Sequence, residues 1–134
     1  MALRMGYSSE DVIMKGGWLS QKNIKHDFRS SYLETGKNCK IAKHVYLDTH
    51  GFLKIGNNVR IHSGCFIPEY TIIEDGVWMG PCVCVTNARY PSFKDAKASI
   101  QPVTIKENAI IGSNVTLLAG ITVGKNSLVG AGSV

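Results

Sequence analysis

Large apolar residues recur every six positions along most of this chain. Ile55, Ile61, Ile67, Ile73, Met79 and Val85 hold one phase without a break, and Ile105, Ile111, Leu117, Val123 and Val129 hold one again. A helix cannot keep such a spacing on one face, because six residues turn it through about 600° and successive positions rotate around the axis. A strand of period two can, but an uninterrupted strand of that length would far exceed the usual span of about 3 to 10 residues. The chain must therefore turn repeatedly. Four residues after each large residue stands a second one, most often small or β-branched: Val59, Cys65, Thr71, Val77 and Val83, then Ala109, Val115, Ile121, Ser127 and Ser133. Directly after the large residue glycine is frequent, at Gly56, Gly80, Gly112, Gly124 and Gly130, often with Asn or Asp just beyond. Each hexad reads as a short strand and a tight turn, with Gly or Asn taking up unusual backbone angles. The large residue and its companion point into a narrow interior, and the remaining positions face outward.

Two departures from the period stand out. Between Leu47 and Ile55 the phase slips by two residues around Asp48-Thr49-His50-Gly51, which predicts a bulge or extended turn. Between Val85 and Ile105 there are 20 residues against 18 for three hexads, and segment 88–102 has no repeat but carries Pro91, Pro102, Lys94, Lys97, Tyr90 and Phe93. It reads as a loop extruded from the coil, and long irregular loops in compact domains commonly carry function. Residues 1–40 show no hexads, so an irregular or partly helical N-terminal cap is expected over 1–40 and a hexad coil over 41–134. Val134 falls inside a hexad, which gives the expectation that the coil is truncated at its C-terminal end.

At 134 residues, 44% apolar and 19% charged, the chain suits a single domain with its own core. It has no apolar run of the roughly 18 residues that a membrane span needs, and Met1 to Glu10 show no secretory h-region. A soluble, cytoplasmic protein with reduced thiols is expected. The net charge of +5 sits wholly in residues 1–60, with 10 Lys+Arg and 5 Asp+Glu, whereas residues 61–134 hold 5 of each. The basic residues are spread singly, without the stripe that nucleic acid requires, so no nucleic-acid partner is expected. A modest positive field for an anionic small molecule remains. Cys82-x-Cys84 has no nearby His or third Cys, so Cys39, Cys65, Cys82 and Cys84 read as apolar filler and no metal is expected.

The hexads resemble the hexapeptide-repeat, left-handed β-helix family, in which three hexads make one triangular coil and coils stack as parallel strands. The expected fold is thus an all-β left-handed parallel β-helix with an extruded loop near 88–102, the hand coming from the resemblance and not from the spacing. Stacking at about 4.8 Å per coil sets residues 18 apart above one another, predicting the ladders Ile55–Ile73, Ile67–Val85, Ile105–Val123 and Ile111–Val129.

Residues 41–134, through Met79-Gly80-Pro81-Cys82-Val83-Cys84-Val85-Thr86-Asn87-Ala88-Arg89-Tyr90-Pro91 and the coils Ile111-Gly112-Ser113-Asn114-Val115 and Val129-Gly130-Ala131-Gly132-Ser133, are similar to acetyl-CoA-dependent acyltransferases of that family. The resemblance implies acetyl-CoA as cosubstrate lying along Gly112, Ser113 and Ala131, a small-molecule acceptor, and a homotrimer with sites in the clefts between subunits. Outward Trp78 and Phe66 suit burial against a neighbour. Sugar and galactoside acetyltransferases of the family carry a loop histidine as general base where this chain has Tyr90-Pro91. Tyrosine, with a reference pKa of about 10, is a poor base at neutral pH. Thr86-Asn87-x-x-Tyr90-Pro91 instead resembles the branch that N-acetylates amino groups of nucleotide-linked amino sugars, although Ala88 stands where that branch usually has an acid. An amine needs less help than an alcohol, and the departing thiolate can take a proton. The catalytic candidates are Asn87, orienting the acceptor or the thioester carbonyl unless it only satisfies a turn, Tyr90, and outward-facing His62, toward a site shared with a neighbouring subunit. Arg60 and Arg89 are candidates to pair with sugar phosphates, with His50 in the bulge as a further substrate-binding candidate. The alternatives are O-acetylation of a sugar hydroxyl and a non-catalytic β-helix scaffold. The γ-type carbonic anhydrase on the same fold needs three imidazoles, two of them late in the repeat, and no His follows His62.

Overall fold

The computed structural model describes residues 18–20, 33–48, 51–92 and 94–134. Its strands are β1 (Trp18–Ser20), β2 (Leu33–Thr35), β3 (Lys40–Ala42), β4 (Tyr46–Leu47), β5 (Leu53–Ile55), β6 (Arg60–Ile61), β7 (Phe66–Ile67), β8 (Ile72–Ile73), β9 (Trp78–Met79), β10 (Cys84–Val85), β11 (Thr104–Ile105), β12 (Ile110–Ile111), β13 (Thr116–Leu117), β14 (Thr122–Val123) and β15 (Leu128–Val129). Most are two residues long because each hexad spends its remaining positions on the corner. They form three sheets: β1-β3-β6-β9-β12-β15, β4-β7-β10-β13 and β2-β5-β8-β11-β14. All pairs are parallel except β1 with β3. The chain winds round these three faces as a left-handed parallel β-helix of about five turns.

The alternation of inward and outward residues is what closes the coil. Ile41, Leu47, Leu53, Ile55, Ile61, Ile67, Ile73, Met79, Ile105 and Ile111 are fully buried and fill the interior from coil to coil. The smaller column, Val59, Cys65, Thr71, Val77, Val83, Ala109 and Val115, is buried beside them. Thr71 is satisfied there by donating its hydroxyl to the Pro68 carbonyl at 2.7 Å, and the Cys65 thiol donates to the Gly80 carbonyl at 3.1 Å. Burial pushes the Cys65 thiol up to about 11, so it stays protonated. Ile121, Ser127 and Ser133 continue the column by spacing but are less covered, Ile121 exposed and the two serines half-buried, because they lie on the outermost described coil.

The ladders Ile55–Ile73, Ile105–Val123 and Ile111–Val129 are present, and Phe66 opposite Cys84 sets Ile67 over Val85. The phase slip is present too: Leu33–Leu53, Ile41–Ile61 and Leu47–Ile67 stack at a separation of 20. Three expectations change. The coil begins at Leu33 and not at residue 41, with Leu33, Cys39 and Val45 supplying the small inward column. Polar Thr35 occupies the first large position, which hides that hexad in the sequence. Residues 1–17 and 21–32 of the expected cap lie outside the described residues; the described piece, β1, pairs antiparallel along β3. Second, the loop is larger than the count of three hexads suggests. Across it, Ile73 stacks on Ile105 and Val85 on Leu117 at a separation of 32, so the excursion replaces a single hexad step and adds 14 residues. Third, Gly56, Gly80 and Gly112 are not the residues with unusual backbone angles. Those are two positions further on, at Asn58 (φ 57°), Cys82 (φ 59°) and Asn114 (φ 56°). Gly80 and Gly112 are glycine because the next coil's backbone lies where a Cβ would stand.

One corner of the triangle, between the β5 and β6 faces and their equivalents, is laced by side chains. Asn57 accepts from the Lys37 amide through Oδ1, and its own N–H and Nδ2 donate to Asp75 at 2.7 and 3.2 Å. Glu74 accepts from Lys106 Nζ and the Glu107 amide, both at 3.0 Å, and Lys125 reaches Glu107 at 2.7 Å. The hydrogen bond from Lys106 holds the Glu74 carboxyl below its usual value, and the bonds from Asn57 do the same for Asp75. A carboxylate depressed in the folded state adds stability that is full above its unfolded pKa and lost as pH falls through its folded one. Thermal unfolding followed from pH 7 to pH 2 is therefore expected to show the melting temperature falling below about pH 4, and the double variant Glu74→Gln, Asp75→Asn is expected to show a flatter profile. A wild-type profile no steeper than the variant's contradicts the lacing.

Candidate functional site

The residues singled out in the sequence occupy two different corners. On the first, where the β6, β9, β12 and β15 face turns into the β7, β10 and β13 face, lie His62, Gly112, Ser113 and Ala131. Arg60 is on the adjoining strand. Their column exists because each coil repeats the same turn: the Cys82, Asn114 and Gly132 amides donate to the Ser63, Pro81 and Ser113 carbonyls of the preceding coil at 2.8–3.0 Å. Gly112 leaves room for Ala131, whose backbone N is 2.5 Å from the place a Cβ on Gly112 would take. The result is a shallow edge of backbone and short side chains, with Ser113 half-buried and Ala131 exposed. A thin ligand chain can approach the backbone there. These are the residues on which the pantetheine arm of acetyl-CoA was expected, and the small-residue edge fits it.

Below that edge His62 packs its ring against Trp78, with centroids 4.8 Å apart and the planes tilted by 58°. Trp78 is opposite Arg60 on the neighbouring strand. Partial burial, with the Arg60 charge adding to it, pulls the His62 imidazole below its usual value. A neutral imidazole with a fixed ring is the form that accepts a proton.

On the second corner, across the β7, β10 and β13 face, the loop leaves the coil. That face is one hexad wide, roughly 20 Å of extended chain, so a single chain does not bring Asn87, Arg89 and Tyr90 to His62 and Ser113. Thr86, Ala88, Arg89, Leu118 and Ala119 line a groove of about 240 Å³ at the loop base. Arg89 and Tyr90 are exposed, and Tyr90 is 58% accessible. Among the described residues the groove wall holds one cation and neither a carboxylate nor an imidazole. Asn87 is half-buried and donates Nδ2 to the Glu69 carbonyl at 3.2 Å, so its amide is engaged in the coil edge. His50 lies outside the described residues. A larger groove of about 300 Å³, lined by Lys54, Ile72, Glu74, Asp75 and Glu107, coincides with the laced corner. Glu74, Asp75 and Glu107 there are already bonded between coils, which makes it structural.

Sequence reasoning did not find Glu69, Gln101, Leu118 or Ala119. The signal was available in the 14 added residues, which mark Asn87 and Gln101 as the two ends of the insertion. Among the described residues no three His, Cys, Asp or Glu side chains are placed so that they could hold a metal ion, and no helix there is long and apolar enough to cross a membrane. Cys82 and Cys84 are exposed, whereas Cys39 and Cys65 are buried thiols.

Residues 102–134 match the family described as bacterial transferase hexapeptide (six repeats). The chain is 29% identical over 112 residues to galactoside O-acetyltransferase of Escherichia coli (strain K12), covering 79% of this chain and 55% of that protein. It is 34% identical over 125 residues to the bifunctional protein GlmU of Thermosipho melanesiensis, covering 90% of this chain and 21% of that protein. The chain thus spans about half the length of the galactoside acetyltransferase it matches. A solved structure of a mutant of AntD, an N-acyltransferase from Bacillus cereus in complex with dTDP and coenzyme A, superposes with a TM-score of 0.61 at 20% identity over 87% of this chain and 78% of that one. With its hexads closed into stacked triangular coils and the last of them matching the transferase repeat, the chain is a hexapeptide-repeat protein of the left-handed β-helix type.

Proposed function

We propose that the protein transfers an acetyl group from acetyl-CoA to the amino group of an amino sugar, with a nucleotide-linked sugar as the acceptor. The observation that carries this reading is the groove at the loop base, which among the described residues offers one guanidinium and no base of its own. Such a wall suits an anionic substrate whose nucleophile needs little activation. The relatives support transfer to sugars, and AntD, an N-acyltransferase held with dTDP and coenzyme A, supports an amine on a nucleotide sugar.

The working unit in this reading is a homotrimer. The loop corner and the small-residue corner lie on opposite edges of one face, so a complete site needs the loop of one copy beside the Ser113 corner of the next. Exposed Tyr46 and Phe66, stacked at 5.2 Å on that face, and half-buried Trp78 supply apolar contact for such a neighbour. Arg89 and Arg60 pair with the phosphates, and His50 is retained as a substrate contact. Gly112, Ser113 and Ala131 hold the pantetheine arm, and the thioester, when bound, supplies the acetyl group. Neutral His62 takes the proton from the acceptor nitrogen as the C–N bond forms and the C–S bond breaks, while Tyr90 donates a hydrogen bond at the loop. Asn87 acts through the loop it anchors.

Thiol release from acetyl-CoA, measured with a panel of free and nucleotide-linked amino sugars and plain sugars, is expected with amino acceptors. Release with hydroxyl acceptors instead would establish the second reading, O-acetylation, which the galactoside O-acetyltransferase relatives favour. No release with any acceptor, together with no coenzyme A binding, favours a scaffold. His62→Ala is expected to lower kcat about a hundredfold or more. The acid limb of the kcat/KM profile is expected below the usual imidazole value of 6.5, and Arg60→Gln should move it upward by removing a positive neighbour. A limb that stays in place in Arg60→Gln removes His62 as the base.

A further inference from the structure

The loop is inserted at a single rung of the coil, and its two ends are tied to each other. Stacking partners are 32 apart across it and 18 apart in the coils directly before and after it, so the insertion adds 14 residues and sets Gln101 14 positions after Asn87. These two stand at the same corner of one coil, one coil above Glu69 and one coil below Ala119, where the excursion leaves and returns. The Gln101 amide donates to the Asn87 carbonyl at 2.7 Å, and the Gly120 amide donates to the Gln101 carbonyl at 2.8 Å. From the other side, Asn87 Nδ2 donates to the Glu69 carbonyl at 3.2 Å. Glu69, Asn87, Gln101 and Gly120 thus form one hydrogen-bonded column up the corner, running through three coils. Gly120, at φ 82°, is also packed against Gln101: a Cβ there would meet Gln101 Oε1 at 3.1 Å and Cβ at 3.3 Å.

We propose that this column is a clasp that fixes the direction in which the loop leaves the coil, and that Asn87 is its positioning residue for the acceptor. Thr86, Ala88 and Arg89, which line the groove, immediately flank Asn87 in the chain, so a small rotation at the clasp moves the guanidinium by several times as much at its tip. The coenzyme A corner is across the face and is not tied to this column. Loosening the clasp therefore misplaces the acceptor and spares the thioester. The proposal rests on acyl transfer at this loop, and the experiment separates the two.

Asn87→Asp keeps the shape of the side chain but replaces the donor with an oxygen facing the Glu69 carbonyl. Gln101→Pro breaks the column at its other bond by removing the amide. In both variants, exchange of the Gly120 amide is expected to rise about tenfold or more, while amides in the coil such as Gly80 and Lys106 keep their protection. With acetyl-CoA and the best UDP- or dTDP-linked amino sugar of the panel, KM for the acceptor should rise about tenfold to a hundredfold. KM for acetyl-CoA should remain within about twofold, since no bond to its corner changes. Unchanged exchange at Gly120 overturns the clasp. So does a common fall in kcat with both KM values raised alike and a lowered melting temperature, which marks a merely structural residue. If the wild type releases no thiol with any acceptor, the acyl-transfer reading falls with the acceptor role, and the exchange measurement alone upholds or overturns the clasp.

Discussion

Ile73→Asp is expected to yield no cooperatively folded protein. Ile73 is fully buried on β8, stacked between Ile55 below and Ile105 above, and neither of these two neighbours can pair with a carboxylate. The variant loses the packing of a large side chain, worth about 2–5 kcal/mol, and adds the desolvation of a charge or the cost of keeping it protonated. The total stability of a domain is about 5–15 kcal/mol, so the two together consume most of it. Because each inward residue touches the coils on both sides, the damage is not confined to one turn. Ile73→Val, which removes one methylene from the same place, should cost about 0.5–1.5 kcal/mol and melt in a single transition. Circular dichroism melts of the pair check this; a cooperative Ile73→Asp transition within a few degrees of wild type would mean that the column is not the core.

Gly112→Ala is expected to separate the fourth coil from the fifth, whereas Gly130→Ala is expected to be tolerated. A Cβ at position 112 would fall 2.5 Å from the Ala131 nitrogen, 2.8 Å from its Cα and 2.9 Å from the Val129 oxygen, all of them backbone atoms with no rotamer to change. At position 130 the nearest atom is Ser133 Oγ at 3.7 Å. The two substitutions have the same chemistry and differ only in what lies above. Overpacking of the first kind costs about 1–3 kcal/mol, and an open surface site changes by about 0.5 kcal/mol or less. Exchange of the Gly112 and Gly132 amides, which bond the Val129 and Ser113 carbonyls across the two coils, reports the separation. In the reading of acyl transfer Gly112→Ala also weakens coenzyme A binding, because the shallow edge is built from both coils. Equal protection in both alanine variants would show that the coils tolerate the extra atom.

The coil was legible because its rule is written once per hexad. A residue such as Ile61 or Ile111 has its burial dictated by period alone, and the ladders at a separation of 18 follow from three hexads per turn. Legibility failed where one residue in the pattern was polar: Thr35 conceals the first hexad, and the coil then seems to begin at Ile41. The glycines were placed correctly and explained wrongly, since sequence shows that a side chain is missing but not whether a backbone angle or an approaching strand requires it. At the site, the types of residue were visible and their grouping was not. Arg89 and Ser113 are close in a linear reading of the repeat, yet a whole face of the triangle separates them, and the side chain of Asn87 turns toward Glu69 through a contact that no local pattern encodes.

The closed stem of the loop makes the coil and its excursion separable parts. Asn87 and Gln101 close the excursion on itself at one corner of one coil, so the stack above and below is indifferent to what the intervening residues are or how many there are. Stability resides in the repeat, and the loop is free to diverge in length and chemistry without any inward residue having to change. A scaffold of this kind acquires new acceptors by exchanging one segment at one socket, which lets substrate choice vary while the architecture stays constant.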